Sequence, residues 1–161
     1  MINKLIKPKE EIANNLSVLI GSKITRITHV ADLIVLEFTK NGNEYGIHSQ
    51  TFVRFIKNKK ILFTRNDYYT SSTNKDDSSP SNFELKNAKY SNDILNRELL
   101  FININEVGDI SLSFAENIVI EVIIDTSKDY FDEQNELWRF FKYASSNPHF
   151  VVYDDLIINY E

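Results

Sequence analysis

Apolar and polar residues alternate with a period of two over much of the chain, which is the spacing of side chains along a β-strand. In the first half, such stretches occur at 23–29, 33–38 and 45–56. Ala31-Asp32 and an Asn-Gly-Asn turn separate them. The pattern therefore predicts a meander of antiparallel strands.

The second half shows the same kind of pattern. Alternating stretches at 110–114 and 118–124 flank a short turn, and 150–153 and 156–160 predict a closing hairpin. No internal repeat is visible in the sequence. The pattern predicts further antiparallel strands here.

Three stretches have helical spacing instead. One lies at 10–20, where Gly21 is a natural stop, and a second begins at a Ser-Asn-Asp cap over 91–93 and runs to 100. The third and clearest, 133–144, has an apolar stripe, acidic residues in its first turn and a lysine near its end. These stretches predict two or three short helices.

The fold class predicted from these elements is α+β: a mostly antiparallel sheet of meanders and hairpins packed by two or three short helices. Residues 1–161 are expected to form a single domain, because neither half reads as a self-sufficient core. Residues 65–82 are rich in Ser, Thr, Asn and Asp, and they predict a flexible loop or insertion.

Composition narrows the class of protein. The chain has no cysteine, which excludes disulfides, thiolate zinc sites and a cysteine nucleophile, and favours a reducing compartment. The sequence also contains no apolar stretch of signal-peptide or membrane-span length. The expected location is therefore the cytoplasm.

Charge is distributed unevenly along the chain. Residues 1–105 carry 15 Lys/Arg and 11 Asp/Glu, a net +4, whereas residues 106–161 carry 3 and 12, a net −9. The acidic third would repel nucleic-acid phosphates and attract a basic protein. A small basic, aromatic patch around 57–60 suits single-stranded nucleic acid, but a lysine-flanked turn at a sheet edge explains it as well. Nucleic acid is therefore not the expected partner.

Motifs for catalysis and cofactors are absent. The sequence has no P-loop, no dinucleotide-binding glycine motif and no nucleophile elbow, and its three histidines, at 29, 48 and 149, are scattered. We expect no metal and no cofactor, and the absence of these motifs favours a protein that is not an enzyme.

Two small groups of residues are candidate binding sites. His48, Gln50 and Arg54 would share one face of a strand, where they could hold an anion or donate a proton. The alternative is an ordinary solvated face on which Arg54 pairs with Asp67. Trp138 and Arg139 are residue types enriched at interfaces, although a lone tryptophan of a small domain more often belongs to the core.

The acidic third supplies the remaining candidates. They are carboxylates that would meet a basic partner: Asp129, Asp132, Glu133 and Glu136. Two groups, Asp129/Asp132/Glu133 and Asp154/Asp155, could also bind a hard cation, but they lack the spacing of a calcium-binding loop, which favours capping and turn roles for them.

Several short motifs resemble those of a group of small uncharacterised bacterial proteins. They are Gly21-x-x-Ile24-x-x-Ile27, Ile47-His48-x-Gln50-x-x-x-Arg54, Gly108-Asp109-Ile110-x-Leu112-x-Phe114, Glu136-x-Trp138-Arg139-Phe140-Phe141 and Pro148-His149-Phe150-Val151-Val152. Some members of the group resemble immunity proteins of toxin–immunity gene clusters. The resemblance implies a cytosolic protein-binding role and supplies no catalytic residue.

Two hypotheses follow. The first is a non-catalytic, immunity-type domain of the bacterial cytosol that binds a basic protein through its acidic C-terminal surface. The second is a binder of small anions, or an enzyme, that uses His48, Gln50 and Arg54 in a concave site joined to Trp138 or His149. A homodimer formed through an edge strand such as 156–160 is compatible with either.

Overall fold

The computed structural model describes residues 6–70, 79–128, 130, 131 and 133–161. Its two α-helices are α1 (Pro8–Leu16) and α2 (Asn82–Ile94). Its strands are β1 (Lys23–Val30), β2 (Leu33–Lys40), β3 (Asn43–Ser49), β4 (Phe52–Lys57), β5 (Lys60–Thr64), β6 (Leu99–Ile104), β7 (Ile110–Phe114), β8 (Ile118–Ile123), β9 (Glu136–Lys142), β10 (Phe150–Tyr153) and β11 (Ile158–Tyr160).

The strands form two antiparallel sheets. One has six strands in the order β1-β2-β3-β9-β10-β11, and the other has five in the order β5-β4-β8-β7-β6. Their inner faces share one hydrophobic core, with α1 packed on β6 and α2 packed on β1 and β5. The predicted α+β class with antiparallel sheets is confirmed. No helix in the described ranges is long and apolar enough to cross a membrane.

The two halves of the chain are arranged about a pseudo-two-fold axis. In the first half, β1–β3 lie in the six-stranded sheet and β4–β5 cross to the other. The second half does the reverse, with β6–β8 in the five-stranded sheet and β9–β11 in the six-stranded one. Because β3 pairs with β9 and β4 pairs with β8, the halves interlock.

Backbone hydrogen bonds locate this axis beside the bridge between Lys23 and Glu98. The amide of Leu99 donates to the carbonyl of Ser22, and the amide of Ile24 donates to the carbonyl of Arg97. The two bonds are equivalent, because Ile24 and Leu99 are 75 residues apart and so are Ser22 and Arg97. The chain therefore contains a structural duplication that the sequence does not reveal.

Equivalent side chains support the duplication. Phe38 lies opposite Ile24, and Phe114 lies opposite Leu99. The rings of Phe38 and Phe114 stack on each other in the core, with centroids 6.4 Å apart and planes 8° apart. The two halves thus present the same apolar positions to one core.

The prediction of a helix over 133–144 is wrong, because this stretch contains β9. Leu137, Trp138, Phe140 and Phe141 are at most 8% exposed, although neighbouring strand residues point to opposite faces. A strand covered on both faces has a nearly continuous apolar run, and that run also fits a helical stripe.

The helix predicted over 91–100 is also displaced. α2 lies upstream, where Ser81 and Glu84 form a capping box at its start, and Leu99 begins β6. The first predicted helix is confirmed in part, since α1 ends at Leu16 and a 3₁₀ turn follows.

The segment predicted as a loop over 65–82 begins with an ordered 3₁₀ turn, Arg65–Tyr69. Arg65 donates to the Asp32 carboxylate at 2.8 Å, and the Tyr69 hydroxyl donates to the same carboxylate. These bonds tie the turn to the β1–β2 hairpin. Residues 71–78, the centre of the predicted loop, lie outside the described residues.

Candidate protein-binding surface

The structure does not bring His48, Gln50 and Arg54 together. His48 lies on the outer face of the six-stranded sheet, exposed Gln50 lies in the crossover after β3, and Arg54 lies on the outer face of the five-stranded sheet. The prediction of one shared face is wrong because β3 ends at Ser49, where the chain leaves one sheet for the other. Arg54 is ion-paired with Glu121, and Asp67 instead pairs with Lys86.

His48 belongs to an aromatic cluster on its own sheet. The Phe141 ring lies between His48, in edge contact at 4.8 Å, and His149, stacked at 4.4 Å. A Cβ atom on Gly46 would lie only 2.8 Å from Cζ of Phe141. Glycine at position 46 therefore lets this ring cover the outer face of the sheet.

Arg139 is the last member of this cluster, and the Glu136 carboxylate balances its positive charge. Its Nε and Nη2 atoms donate to the two carboxylate oxygens of Glu136 at 2.6 Å each, and its Nη1 lies 3.2 Å from Nδ1 of His149. The hydrogen bonds to Glu136 raise the pKa of Arg139. Both arginines are therefore ion-paired, Arg139 with Glu136 and Arg54 with Glu121, so an anionic ligand would meet a guanidinium whose charge a carboxylate already balances.

Replacing His48 with glutamine should weaken the acid sensitivity of folding. Burial lowers the pKa of His48 below its ordinary value, and the positive charge of Arg139 lowers it further. The His48 imidazole therefore binds a proton more tightly in the unfolded chain than in the folded one. As a result, the folded state keeps its full stability above about pH 6.5, and the free energy of unfolding decreases as the pH falls below that value. Urea unfolding between roughly pH 7 and pH 5 should show a smaller decline for His48→Gln. Equal declines in both proteins would contradict this role.

Trp138 is a core residue. Its side chain is 0% exposed and lies 5.8 Å from the Phe150 ring, between the two sheets. Its indole nitrogen has no hydrogen-bond partner among the described residues. The side chain cannot contact a partner, so its prediction as an interface residue is wrong.

The predicted carboxylates fall into different settings. Glu136 is in β9 and holds Arg139, whereas Glu133 is exposed. Asp129 and Asp132 lie outside the described residues. Asp125 and Glu133 are the exposed carboxylates among the described residues of the connection between β8 and β9, residues 125–135, which is called here the anchor loop.

Two aromatic residues of the anchor loop were missed by the sequence analysis. Tyr130 is 92% exposed and Phe131 is 81% exposed, and their rings meet edge to face at 5.3 Å. The sequence contains part of the signal, because Asp129-Tyr130-Phe131-Asp132-Glu133 places this pair among carboxylates, but it does not show that the rings are exposed. Two neighbouring aromatic rings exposed to this degree are typical of a contact surface.

The anchor loop is fastened at both ends. The amide of Ile124 donates to Oδ1 of Asp109 at 2.8 Å. At the other end, the amide and side chain of Asn135 donate to the buried Asp154 carboxylate at 3.3 and 3.1 Å. The loop therefore presents its aromatic pair from two fixed points.

No group of three or more His, Asp or Glu side chains in the described ranges is arranged to hold a metal ion. Comparison with protein-family models, with curated proteins and with solved structures gives no match to this chain.

Proposed function

We propose that this chain is a non-catalytic binding module that recognises a basic protein through its anchor loop. The observation that carries this proposal is the aromatic pair Tyr130 and Phe131, 92% and 81% exposed, in a loop with four carboxylates and one lysine. Tyrosine is enriched among residues that dominate binding energy, and surrounding carboxylates would orient a basic partner.

The energetic reason is the cost of leaving two rings in water. Burial of an aromatic side chain is favourable by roughly 25 cal/mol per Å² of apolar surface, and a contiguous exposed apolar patch often marks an interaction site. A partner that covers both rings recovers this free energy. The nearby charge speeds encounter without adding much affinity of its own.

The resemblance to immunity proteins suggests a concrete partner. In this version the protein acts in the bacterial cytosol and binds a toxin whose active site or nucleic-acid groove is basic. The acidic anchor loop would cover that groove and exclude the toxin's own substrate. The ion pairs of Arg54 with Glu121 and of Arg139 with Glu136 favour this proposal over the binding of small anions, because a carboxylate already balances each charge.

Reversing the charge of the anchor loop should slow association with the partner. The variant Asp125→Lys with Glu133→Lys removes two exposed carboxylates and adds two cations, so we expect an association rate lower by roughly tenfold or more at low salt, with a flatter salt dependence. The partner is first captured from a lysate of the source organism at low salt and identified by mass spectrometry. Association is then measured by stopped flow.

The matched control is Glu10→Lys with Glu44→Lys, which makes the same change in net charge at two exposed positions outside the loop. This control should bind at nearly the rate of the unmodified chain. Equal slowing by both variants, or a captured partner without excess positive charge, would overturn the proposal.

A further inference from the structure

A cleft of about 390 Å³ opens at one end of the six-stranded sheet, beside the C-terminal end of α1. The most buried of its walls are Tyr45, Phe140 and Phe150, which are 8%, 8% and 2% exposed. Tyr160, which is half-exposed, forms one side. Small-molecule sites are clefts of about 300–1,000 Å³ lined mainly by apolar and aromatic side chains. The cleft therefore has the size and the lining of a ligand site.

The structural duplication shows what occupies the equivalent place in the first half of the chain. Phe63 is the counterpart of Phe150, because each is paired with a buried phenylalanine of the neighbouring strand, Phe55 and Phe140 respectively. The Tyr90 ring of α2 stacks on Phe63, with centroids 6.4 Å apart and planes 7° apart. In the first half, a phenol ring from the helix therefore covers this part of the core.

The helix of the other half supplies no such ring. Asn15 is the counterpart of Tyr90, because each lies eight residues before a partner in the bridge between Lys23 and Glu98. The nine residues of α1 include no aromatic one. The Asn15 side chain lines the cleft and donates to the Tyr160 hydroxyl at 3.1 Å. A short polar side chain thus stands where the first half has a ring.

Two tyrosines of the sheet flank the cleft without closing it. Tyr45 stacks on Phe140 at 5.9 Å, and Tyr160 meets the Phe150 ring at 5.5 Å with planes 64° apart. Tyr160 is therefore tilted against Phe150, whereas Tyr90 lies parallel to Phe63. Both tyrosines remain in the lining of the open cleft.

The mouth of the cleft differs from its walls. Its exposed lining residues are Lys142, Asn147 and Pro148. The ammonium of a lysine and the amide of an asparagine both donate hydrogen bonds. Aromatic walls favour a further ring, in offset-stacked or edge-to-face contact. A ligand suited to the cleft therefore has an aromatic ring at one end and an acceptor oxygen at the other.

We propose that this cleft binds a small aromatic compound that carries a phenol or carboxylate oxygen. The ring of the compound packs on Phe150 as Tyr90 packs on Phe63, and its oxygen accepts hydrogen bonds at the mouth, from Lys142 and Asn147. The cleft lies at the end of β9, whereas the anchor loop precedes the start of that strand. The site is therefore separate from the surface proposed to bind a protein.

The test is a titration with p-cresol, which is the side chain of tyrosine, followed by the NMR chemical shifts of the backbone amides. The unmodified chain should bind p-cresol saturably, with a dissociation constant of roughly 1 mM or below, and the largest shifts should fall on residues of the cleft. The analogue 4-methylcyclohexanol has the same substituents but no aromatic ring. It should bind roughly threefold or more weakly, because it cannot stack on the walls.

Asn15→Tyr should raise the dissociation constant for p-cresol by roughly tenfold or more, because its ring takes the place of the ligand as Tyr90 does in the other half. The matched control is Asn14→Tyr, which makes the same change at the neighbouring exposed position and should bind p-cresol like the unmodified chain. Tyr160→Ala removes one side of the cleft at a half-exposed residue and should also weaken binding. Thermal unfolding checks that all three variants are folded.

Four results would each overturn the site: no saturable binding of p-cresol at millimolar concentration, shifts confined to amides away from the cleft, equal binding of 4-methylcyclohexanol, or equal affinities for the variants at positions 14 and 15. If Asn15→Tyr does not fold, Tyr160→Ala decides, and an unchanged affinity for p-cresol in that variant would contradict the proposal.

Discussion

Replacing Phe55 with alanine is expected to lower the free energy of unfolding by roughly 3–5 kcal/mol. The Phe55 ring is 0% exposed, stacks on Phe63 at 4.2 Å and meets Phe83 at 6.3 Å. Alanine would leave a cavity where three rings from β4, β5 and α2 now meet, and close-packed neighbours relax only partly into such a space. Urea denaturation with linear extrapolation measures the loss.

The structural duplication provides a second position at which the same loss of stability is expected. Phe140 holds the equivalent position in the second half, opposite Phe150 as Phe55 is opposite Phe63. Phe140→Ala should therefore cost a similar amount, whereas Phe131→Ala removes an exposed ring and should change stability by less than about 0.5 kcal/mol. A loss below about 1 kcal/mol for Phe55→Ala would contradict the shared aromatic core.

The hairpins were predictable because their turns have a local chemical signature. Asn41 and Gly42 adopt positive φ angles of 50° and 77°, and the same left-handed backbone occurs at Asn117 and Asp155. Asn, Asp and Gly tolerate this conformation, so they mark reversals between alternating stretches. The antiparallel α+β class followed from such local signals.

The position of β9 could not be predicted from periodicity. A strand in the middle of a sheet with both faces covered loses its alternation, and the remaining apolar run fits a helix equally well. The duplication was hidden for a related reason: the two halves share apolar positions such as Phe38 and Phe114, and apolar residues recur in every core.

The candidate site was predicted only in part. The acidic segment was identified from its charge, but the spacing of His48 and Arg54 gave no sign that the chain changes sheets after Ser49. Tyr130 and Phe131 were overlooked because sequence alone does not separate an exposed aromatic ring from a buried one. Their exposure is a property of the tertiary structure.

Removing both rings of the anchor loop is the change with the largest expected effect on binding. Tyr130→Ala with Phe131→Ala should weaken partner binding by about 30-fold or more, which corresponds to about 2 kcal/mol, the cost of losing an interface hot spot. Both rings are more than 80% exposed, so the variant should fold with nearly the stability of the unmodified chain.

Calorimetric titration of the captured partner with this double variant tests the binding role of the anchor loop most directly. The matched control is Val30→Ala with Val107→Ala, which truncates two valines that are 66% and 64% exposed elsewhere on the molecule. Our account predicts a stoichiometric interaction with the unmodified chain and with the control, and an affinity at least about 30-fold weaker with the double variant. Equal affinities for all three proteins would contradict it.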